Sequence, residues 1–165
     1  ARFSKPLICA IRGVAIGIGV TILLHADLAY ADDSALFQIP FVSLGLSPEG
    51  AASQLLVQQA GYHKAAELLF TAKKFNSQTA LEVGLINAIS KDVYNEAEQQ
   101  AKILAALPLA SLQQTKQLMK HNLAQIIECI DHEAEIFMQR VASPEMSEAI
   151  SAFMQKRPAN FSQFN

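Results

Sequence analysis

The chain has 165 residues, of which 51% are hydrophobic and 17% are charged, and its formal net charge is −2. This length suits a single domain, and the hydrophobic fraction suffices for a packed core, which excludes a disordered chain. Lysine and arginine are scattered along the sequence, so no nucleic-acid partner is expected. Cys9 and Cys129 are far apart without metal-ligand spacing, which favours a reducing compartment and excludes a disulfide scaffold.

The N-terminal stretch is similar to a secretory signal but is interpreted as part of the domain. Arg2 and Lys5 precede an apolar run, and Ala29-Tyr30-Ala31 has the small residues of a cleavage site. Arg12 interrupts the run, however, and residues 13–24 are too few to cross a bilayer, which needs about 20 residues. No membrane partner is therefore expected.

The first part of the chain has the pattern of an α/β unit. A short apolar run predicts a strand over residues 7–11, and the glycines predict a turn over residues 13–19. An apolar helix over residues 20–26 and a second strand over Leu28–Ala31 follow. Two strands joined by a buried helix in so few residues predict a parallel sheet.

Helices dominate after residue 50. Apolar residues at helical spacing predict short helices over residues 50–61 and 62–70. Asn76 or Ser77 is expected to cap a small helix that ends at Gly84, before a strand over residues 85–89. The same spacing predicts four further helices, over residues 97–107, 111–122, 124–141 and 145–155, with Pro108, Pro144 and Pro158 as stops.

The longest predicted helix carries a wide apolar stripe. Its members are Ile126, Ile127, Ile130, Ala134, Phe137 and Met138. A stripe of this width usually packs on more than one surface, so it favours a core position or a subunit interface. Together with the low charge content, the stripe predicts a homo-oligomer.

Glu49 is the first candidate functional residue. It follows an apolar stretch, residues 41–46, precedes a predicted helix, and is the only carboxylate between Asp33 and Glu67. A carboxyl group that is desolvated in this way can both accept and return a proton near neutral pH. The alternative is a solvated acid that the helix dipole favours at a helix start, and the segment alone leaves both interpretations open.

The glycine-rich turn does not fit two common nucleotide-binding motifs. Gly17 and Gly19 form the first pair of a dinucleotide fingerprint, but Ile22 stands at the third glycine. A Walker phosphate loop is excluded because no Gly-Lys-Ser/Thr follows. The glycines could instead free backbone N–H groups to stabilise a negatively charged oxygen, or could serve only close packing of helix and sheet.

A longer pattern covers residues 5–19, which read KPLICAIRGVAIGIG. It resembles the K-P-x-I-A-x-x-x-G-x-A-x-G-x-G signature of the crotonase superfamily, the enoyl-CoA hydratases and isomerases. Further similarities continue along nearly the whole chain, at residues 27–31 (D-x-x-x-A), at Phe37 and Pro40 (F-x-x-P), at Leu44-Gly45, at residues 80–85 (A-x-x-x-G-L) and at residues 153–161.

The resemblance implies an α/β fold, a crotonase-like spiral of ββα units. Residues 1–90 would form the C-terminal part of that core only, and residues 91–165 would form a helical oligomerisation region. Family members carry an N-terminal portion with further strands and the other oxyanion N–H group. The resemblance implies that this chain lacks that portion, as a fragment or processed product would. It also implies a trimer or hexamer.

The resemblance also implies chemistry on an acyl-CoA thioester, with no cofactor beyond the coenzyme A of the substrate. The amide of Ile18 matches the family's second oxyanion-hole group. Thr21 and Phe41 stand where the hydratases carry their two glutamates, so hydration is not expected. The pattern is most similar to the peroxisomal-type Δ3,Δ2-enoyl-CoA isomerases, whose base matches Glu49.

Substrate-binding roles follow from the same resemblance. Phe41 and Leu46 would keep water from the acyl group. Gly17 and Gly19 would let the backbone approach the thioester, and Lys156 would reach the coenzyme A of a neighbouring subunit.

Two alternative functions stay open. One is another crotonase-type reaction, such as hydrolysis or decarboxylation of an acyl-CoA, and the other is a non-catalytic acyl-CoA-binding or oligomerisation module. The final tripeptide, Gln163-Phe164-Asn165, is not a peroxisomal address, so a cytoplasmic protein is expected.

Overall fold

Two three-stranded sheets lie at the centre of the fold in this computed structural model, which describes residues 1–164. Asn165, the last residue of the C-terminal tripeptide, lies outside the described residues. In chain order the strands are β1 (Ile8–Ile11), β2 (Val14–Ile16), β3 (Leu28–Ala31), β4 (Leu36–Gln38), β5 (Phe75–Asn76) and β6 (Ala88–Ile89).

The first sheet has the order β1-β3-β6 and is parallel throughout. Ile8 pairs with Leu28 at one end of the β1–β3 ladder, and Ile11 pairs with Ala31 at the other. The second sheet has the order β2-β4-β5, with β2 and β4 parallel and β4 and β5 antiparallel. The predicted strands at the start of the chain and their parallel arrangement are confirmed.

The prediction of a continuous turn over residues 13–19 is wrong at its centre, because Val14–Ile16 forms β2. Ala15 faces the core at 7% exposure, whereas Val14 and Ile16 on the other face are 67% and 46% exposed. The turns are confined to the ends of this strand, where Gly13 (φ 75°) and Gly17 (φ 57°) have positive φ angles that glycine adopts readily. The strand was missed because it is short and pairs with β4, which only the tertiary fold brings beside it.

Helices surround the sheets. They are α1 (Ile18–Thr21), α2 (Ala52–Ala60), α3 (Tyr62–Thr71), α4 (Ser77–Glu82), α5 (Val93–Ala105), α6 (Leu109–Met119), α7 (Leu123–Val141) and α8 (Pro144–Met154). Among residues 1–164, 3-10 segments cover Ile22–His25, Val42–Leu44 and Ser162–Phe164. Every predicted helix is therefore present, although several bounds differ by a few residues.

Pro144 separates two helices as predicted, since α7 ends at Val141. It also opens α8, where Ser143 caps the helix by accepting a hydrogen bond from the amide of Met146 at 3.2 Å. One local signal was misread. Helix α5 begins at Val93 rather than near residue 97, since Asp92 accepts a hydrogen bond from the amide of Asn95.

The core lies between the sheets and the helices that cover them. Phe37 and Phe75 stack within it, with their ring centroids 5.4 Å apart. The α7 stripe is divided, because Ile126 is buried at 5% exposure whereas Met138 is 66% exposed. A boundary at residue 90 stays a prediction. Within residues 1–164, no helix has the length and apolar character that a membrane span requires.

Candidate active site

Glu49 lies on the loop between the Val42–Leu44 turn and α2, with its side chain half-buried beside α1. The hydroxyl of Thr21 donates a hydrogen bond to Oε1 of Glu49 at 2.5 Å. Thr21 is 1% exposed, so bulk water does not compete for this contact. The carboxyl group therefore has one oxygen fixed by the protein, which leaves the other oxygen for a reacting group.

The backbone after Glu49 is held in an unusual conformation. Gly50 (φ 73°) and Ala51 (φ 60°) are both left-handed, which for alanine costs energy and persists only when the surroundings fix it. The carbonyl of Gly50 accepts a hydrogen bond from Nε2 of His25 at 2.7 Å. Since a carbonyl can only accept, Nε2 carries the hydrogen.

His25 is placed as a neutral structural donor. Desolvation lowers its pKa from the usual value, and this effect outweighs the opposing hydrogen bond to Gly50. Its own carbonyl accepts a hydrogen bond from Nζ of Lys120 at 2.9 Å. His25 thus connects the loop of Glu49 to the 3-10 segment that follows α1.

The glycine turn leads into α1, the helix whose last residue, Thr21, binds Glu49. The amide of Gly17 donates to the carbonyl of Gln38 at 2.9 Å, and the carbonyl of Gly17 accepts from the amides of Val20 and Thr21. The first N–H groups of a helix have no partner within it. In the described part of the chain, the amides of Ile18 and Gly19 donate to no other group. Thr21 lies one helical turn after Ile18, so the same short helix carries the Ile18 amide and the hydroxyl that binds Glu49.

Phe41 and Leu46 belong to the packing beneath this site. Phe41 is 5% exposed, and its ring meets that of Phe137 edge-on, with the centroids 6.3 Å apart. A Cβ atom added to Gly17 would lie 3.9 Å from the Phe41 ring, so the glycine turn runs directly over it. Leu46 is half-buried, and its amide donates to the carbonyl of Phe41 at 2.8 Å. Their role in excluding water stays a prediction.

Lys156 is exposed beyond the end of α8, with a left-handed φ of 53°. Its amide donates to the carbonyl of Phe153. Among residues 1–164, no hydrogen bond joins its side chain to residues 41–53, the segment around Glu49. Its predicted contact with the coenzyme A of a neighbouring subunit stays untested.

Sequence reasoning missed Glu133 on α7. Its Oε1 atom accepts hydrogen bonds from the amide of Ser53 at 2.9 Å and from the hydroxyl of Ser53 at 2.5 Å, and the residue is 6% exposed. A signal was present in the sequence, because Glu133 follows Ile126 by seven positions and precedes Phe137 by four. These intervals place a carboxylate on the apolar stripe of the helix.

Residues 1–164 contain no cluster of three or more histidine, cysteine, aspartate or glutamate side chains that could hold a metal ion.

The sequence profile of the enoyl-CoA hydratase/isomerase family matches residues 1–164. The chain belongs to the enoyl-CoA hydratase/isomerase family. The motif resemblance is thereby confirmed, and so is the crotonase-like α/β fold that it implied.

Curated members of the enoyl-CoA hydratase/isomerase family carry different activities in their names. Enoyl-CoA delta isomerase 2 of Rattus norvegicus is 34% identical over 159 residues, which cover 94% of this chain and 41% of that protein. The 2,3-dehydroadipyl-CoA hydratase of Escherichia coli K12 is 30% identical over 162 residues, which cover 96% of this chain and 64% of that protein. The chain thus spans less than two thirds of either relative.

Solved structures of the family agree with the fold. An enoyl-CoA hydratase/isomerase from Acinetobacter baumannii is 77% identical, with a TM-score of 0.89 over 90% of this chain and 64% of that chain. An enoyl-CoA hydratase/isomerase from Pseudoalteromonas atlantica T6c is 34% identical, with a TM-score of 0.94 over 98% of this chain and 66% of that chain.

Proposed function

We propose that the complete protein is a Δ3,Δ2-enoyl-CoA isomerase, which moves a double bond of an acyl-CoA thioester from C3=C4 to C2=C3. Glu49 is the acid and base, and the amide of Ile18 stabilises the thioester oxygen. No cofactor is required beyond the coenzyme A of the substrate.

The observation that carries this proposal is the hydrogen bond from Thr21 to Glu49. Hydration needs groups that activate water and protonate carbon, and by resemblance the hydratases use glutamates at the positions of Thr21 and Phe41. Here Thr21 offers a hydroxyl that orients Glu49, and Phe41 is a buried ring. This leaves one carboxylate for proton transfer, as an isomerase needs. The similarity to the rat delta isomerase supports the same reaction.

The proposed reaction needs two proton transfers on one face of the substrate. Glu49 removes a proton from C2, and the electron pair of that C–H bond moves into a dienolate whose charge lies on the thioester oxygen. The Ile18 amide donates to that oxygen, and loss of one such donor typically costs about 10²- to 10³-fold in rate. Glu49 then returns the proton to C4, so the product differs from the substrate only in the double-bond position.

The test uses the complete gene product with a 3-enoyl-CoA thioester and follows formation of the conjugated 2-enoyl-CoA by its ultraviolet absorbance. Glu49→Gln keeps the size of the side chain but removes the base, so isomerisation should disappear while acyl-CoA binding persists. Glu67→Gln is the matched control, since Glu67 is exposed and pairs with Lys64 on the surface. Full activity of Glu49→Gln would refute the proposal.

Hydration is the second candidate, because the Escherichia coli hydratase is similar over 96% of this chain. The same preparation is incubated with a 2-enoyl-CoA, and the products are separated by mass. If a 3-hydroxyacyl-CoA is formed faster than the isomerisation product, hydration would be favoured as the function. Hydrolysis or decarboxylation would be recognised in the same experiment by loss of coenzyme A or of carbon dioxide.

We further propose a cytoplasmic homo-oligomer, trimeric or hexameric. Helix α8 supports assembly, because Ile150, Phe153 and Met154 are 51%, 79% and 75% exposed. Exposed apolar side chains that are grouped in this way mark a contact surface more often than isolated ones do. Light scattering of the complete protein, compared with a Phe153→Ser variant, would test the assembly.

A further inference from the structure

One face of α7 contacts the segment of residues 41–53, and it does so on both sides of Glu49. Before Glu49, the ring of Phe137 packs against Phe41, and Nε of Arg140 donates to the carbonyl of Gly45 at 2.9 Å. After Glu49, the carboxylate of Glu133 binds Ser53. Residues at positions 133, 137 and 140 lie along one side of a helix, so a single rigid element holds both ends of the segment.

The N-terminus of α8 also lies close to the loop before Glu49. A Cβ atom added to Gly45 would lie 2.9 Å from backbone and side-chain atoms of Glu145 and from the amide of Met146. Glycine is therefore required there, because the loop before Glu49 approaches the start of α8 too closely for a side chain.

The start of α2 has no cap of its own. Its N-cap position is Ala51, which is left-handed and has no side-chain acceptor. A helix leaves its first amides without partners, and Ser, Thr, Asp or Asn usually supplies the acceptor locally. Here Glu133, 80 residues away in sequence, accepts from the amide of Ser53. A negative charge at a helix N-terminus is also favoured by the helix dipole.

The Glu133–Ser53 contact costs more folding free energy than a helix cap with a purely structural role would need to cost. Glu133 is 6% exposed, and its Oε2 atom has no hydrogen-bond partner among residues 1–164. Burial of a carboxylate with incomplete pairing lowers stability, and natural proteins keep such local conflicts mainly where function needs them. The Cys129 thiol contributes only a long contact to Oε1, at 3.8 Å.

We propose that Glu133 is a positioning residue for Glu49, which rests on the proposed isomerase function. Glu133 fixes the start of α2, and Glu49 is connected to that start by the left-handed pair Gly50 and Ala51. Because φ and ψ at these residues set the direction of the preceding chain, the Glu133–Ser53 contact determines where the Glu49 carboxyl meets C2 and C4 of the substrate. Thr21 holds the end of the Glu49 side chain, and Glu133 holds Ser53, four residues after Glu49.

The test compares Glu133→Met with Glu133→Gln in the complete protein. Methionine has a similar length but accepts no strong hydrogen bond, so kcat for the 3-enoyl-CoA should fall about 10- to 100-fold while KM changes little, as expected for misplacement of a catalytic group. Glutamine keeps an oxygen that can accept from Ser53 and should recover most of the lost kcat. Glu135→Met, at an exposed position of the same helix, is the matched control.

Hydrogen exchange of residues 49–56 provides a readout that does not depend on turnover. In Glu133→Met these amides should exchange faster than in wild type, whereas exchange in β1 and β3 should stay unchanged. Unchanged exchange in residues 49–56, a kcat equal to that of Glu135→Met, or an equal loss in Glu133→Gln would each overturn the inference. A wild-type protein without isomerase activity would instead refute the proposed function, and the exchange result would still decide whether Glu133 fixes the segment.

Discussion

Thr21 and Glu49 are 28 positions apart in the sequence and form a hydrogen bond of 2.5 Å at the edge of the core. Thr21 is almost completely buried, whereas Glu49 is half-buried, so the contact joins the interior of the protein to a group that a substrate can reach. The donor lies on α1, the helix that begins at Ile18. One short helix therefore orients the proposed base and supplies the proposed oxyanion donor.

Substitution Thr21→Val should lower kcat for 3-enoyl-CoA isomerisation. Valine has nearly the shape of threonine but no hydroxyl, and hydrogen bonds to charged groups contribute about 1.5–3 kcal/mol, so a loss of about 10- to 100-fold is expected. Steady-state kinetics with the conjugated product as the readout would measure it. Thr115→Val, at an exposed position of α6, should leave kcat unchanged. Equal kinetics of the two variants would mean that Thr21 does not orient Glu49.

His25 should make the protein less stable in mild acid. Burial lowers its folded-state pKa below the usual 6.5, so the unfolded chain takes up a proton first as the pH falls. The contribution of His25 is therefore complete above pH 6.5 and is lost as the pH falls from there through the lowered pKa.

The variant His25→Gln tests this, since an amide group can still donate to Gly50 but does not titrate. The free energy of unfolding of both proteins would be measured by urea denaturation at several pH values from about 7.5 to about 5. The advantage of wild type over the variant should shrink toward low pH. An advantage that grows on acidification would contradict the assigned direction of the shift.

Loss of the Lys116 ammonium group should destabilise the junction between α6 and the first sheet. Nζ of Lys116 donates to Asp27 at 2.6 Å and to the carbonyl of Lys5 at 2.7 Å, and its side chain is 10% exposed. In Lys116→Met, Asp27 still accepts the hydrogen bond from the amide of Leu7 but loses the hydrogen bond from the Lys116 ammonium group. The free energy of unfolding should fall by about 2–3 kcal/mol.

Two further variants make the Lys116 prediction specific. Lys102→Met removes an exposed pair with Glu98 and should cost less than about 0.5 kcal/mol. In Lys116→Met the Asp27 carboxylate keeps only its longer ion contact, of 3.8 Å with Nζ of Lys120. Adding Asp27→Asn removes this weakly paired charge and should recover part of the stability, which a double-mutant cycle would measure. Additive losses would show that the two side chains do not interact.

Glu148 should anchor the C-terminal tail above its pKa. Its two oxygens accept from Nη1 and Nη2 of Arg157, and Oε1 also accepts from the amide of Asn160 at 2.8 Å. The Arg157 hydrogen bonds, followed by that of Asn160, lower the pKa of Glu148 from 4.5 to about 2. The carboxylate is favoured in the folded state, so its contribution is present above pH 4.5 and disappears as the pH falls to about 2.

Hydrogen exchange of residues 157–161 would test this anchor. Glu148→Gln should accelerate exchange at neutral pH, and the difference from wild type should narrow below pH 4.5. Glu135→Gln on the exposed face of α7 is the control and should not change exchange in the tail. A difference that is constant over this pH range would exclude a role for the ionised carboxylate.

Much of the fold could be read from the sequence because its signals are local. Apolar runs predicted β1 and β3, and helical spacing located every later helix. Strand β2 was not recognised, since three residues between glycines give too short a pattern and their partner β4 is defined only by pairing. Pro144 was predicted as a boundary between helices and is one, although its additional role as the first residue of α8 became clear only from the Ser143 cap.

The sequence by itself indicated the family and the parallel first sheet, and it singled out Glu49 and Ile18 as candidates, because these predictions depend on motifs and periodicity within short stretches of chain. Only the tertiary structure decided that Thr21 binds Glu49, that His25 holds Gly50 and that Glu133 holds Ser53. Each of these contacts joins residues at least 25 positions apart. Their hydrogen bonds form only after the helices pack, and no local propensity encodes such a distance.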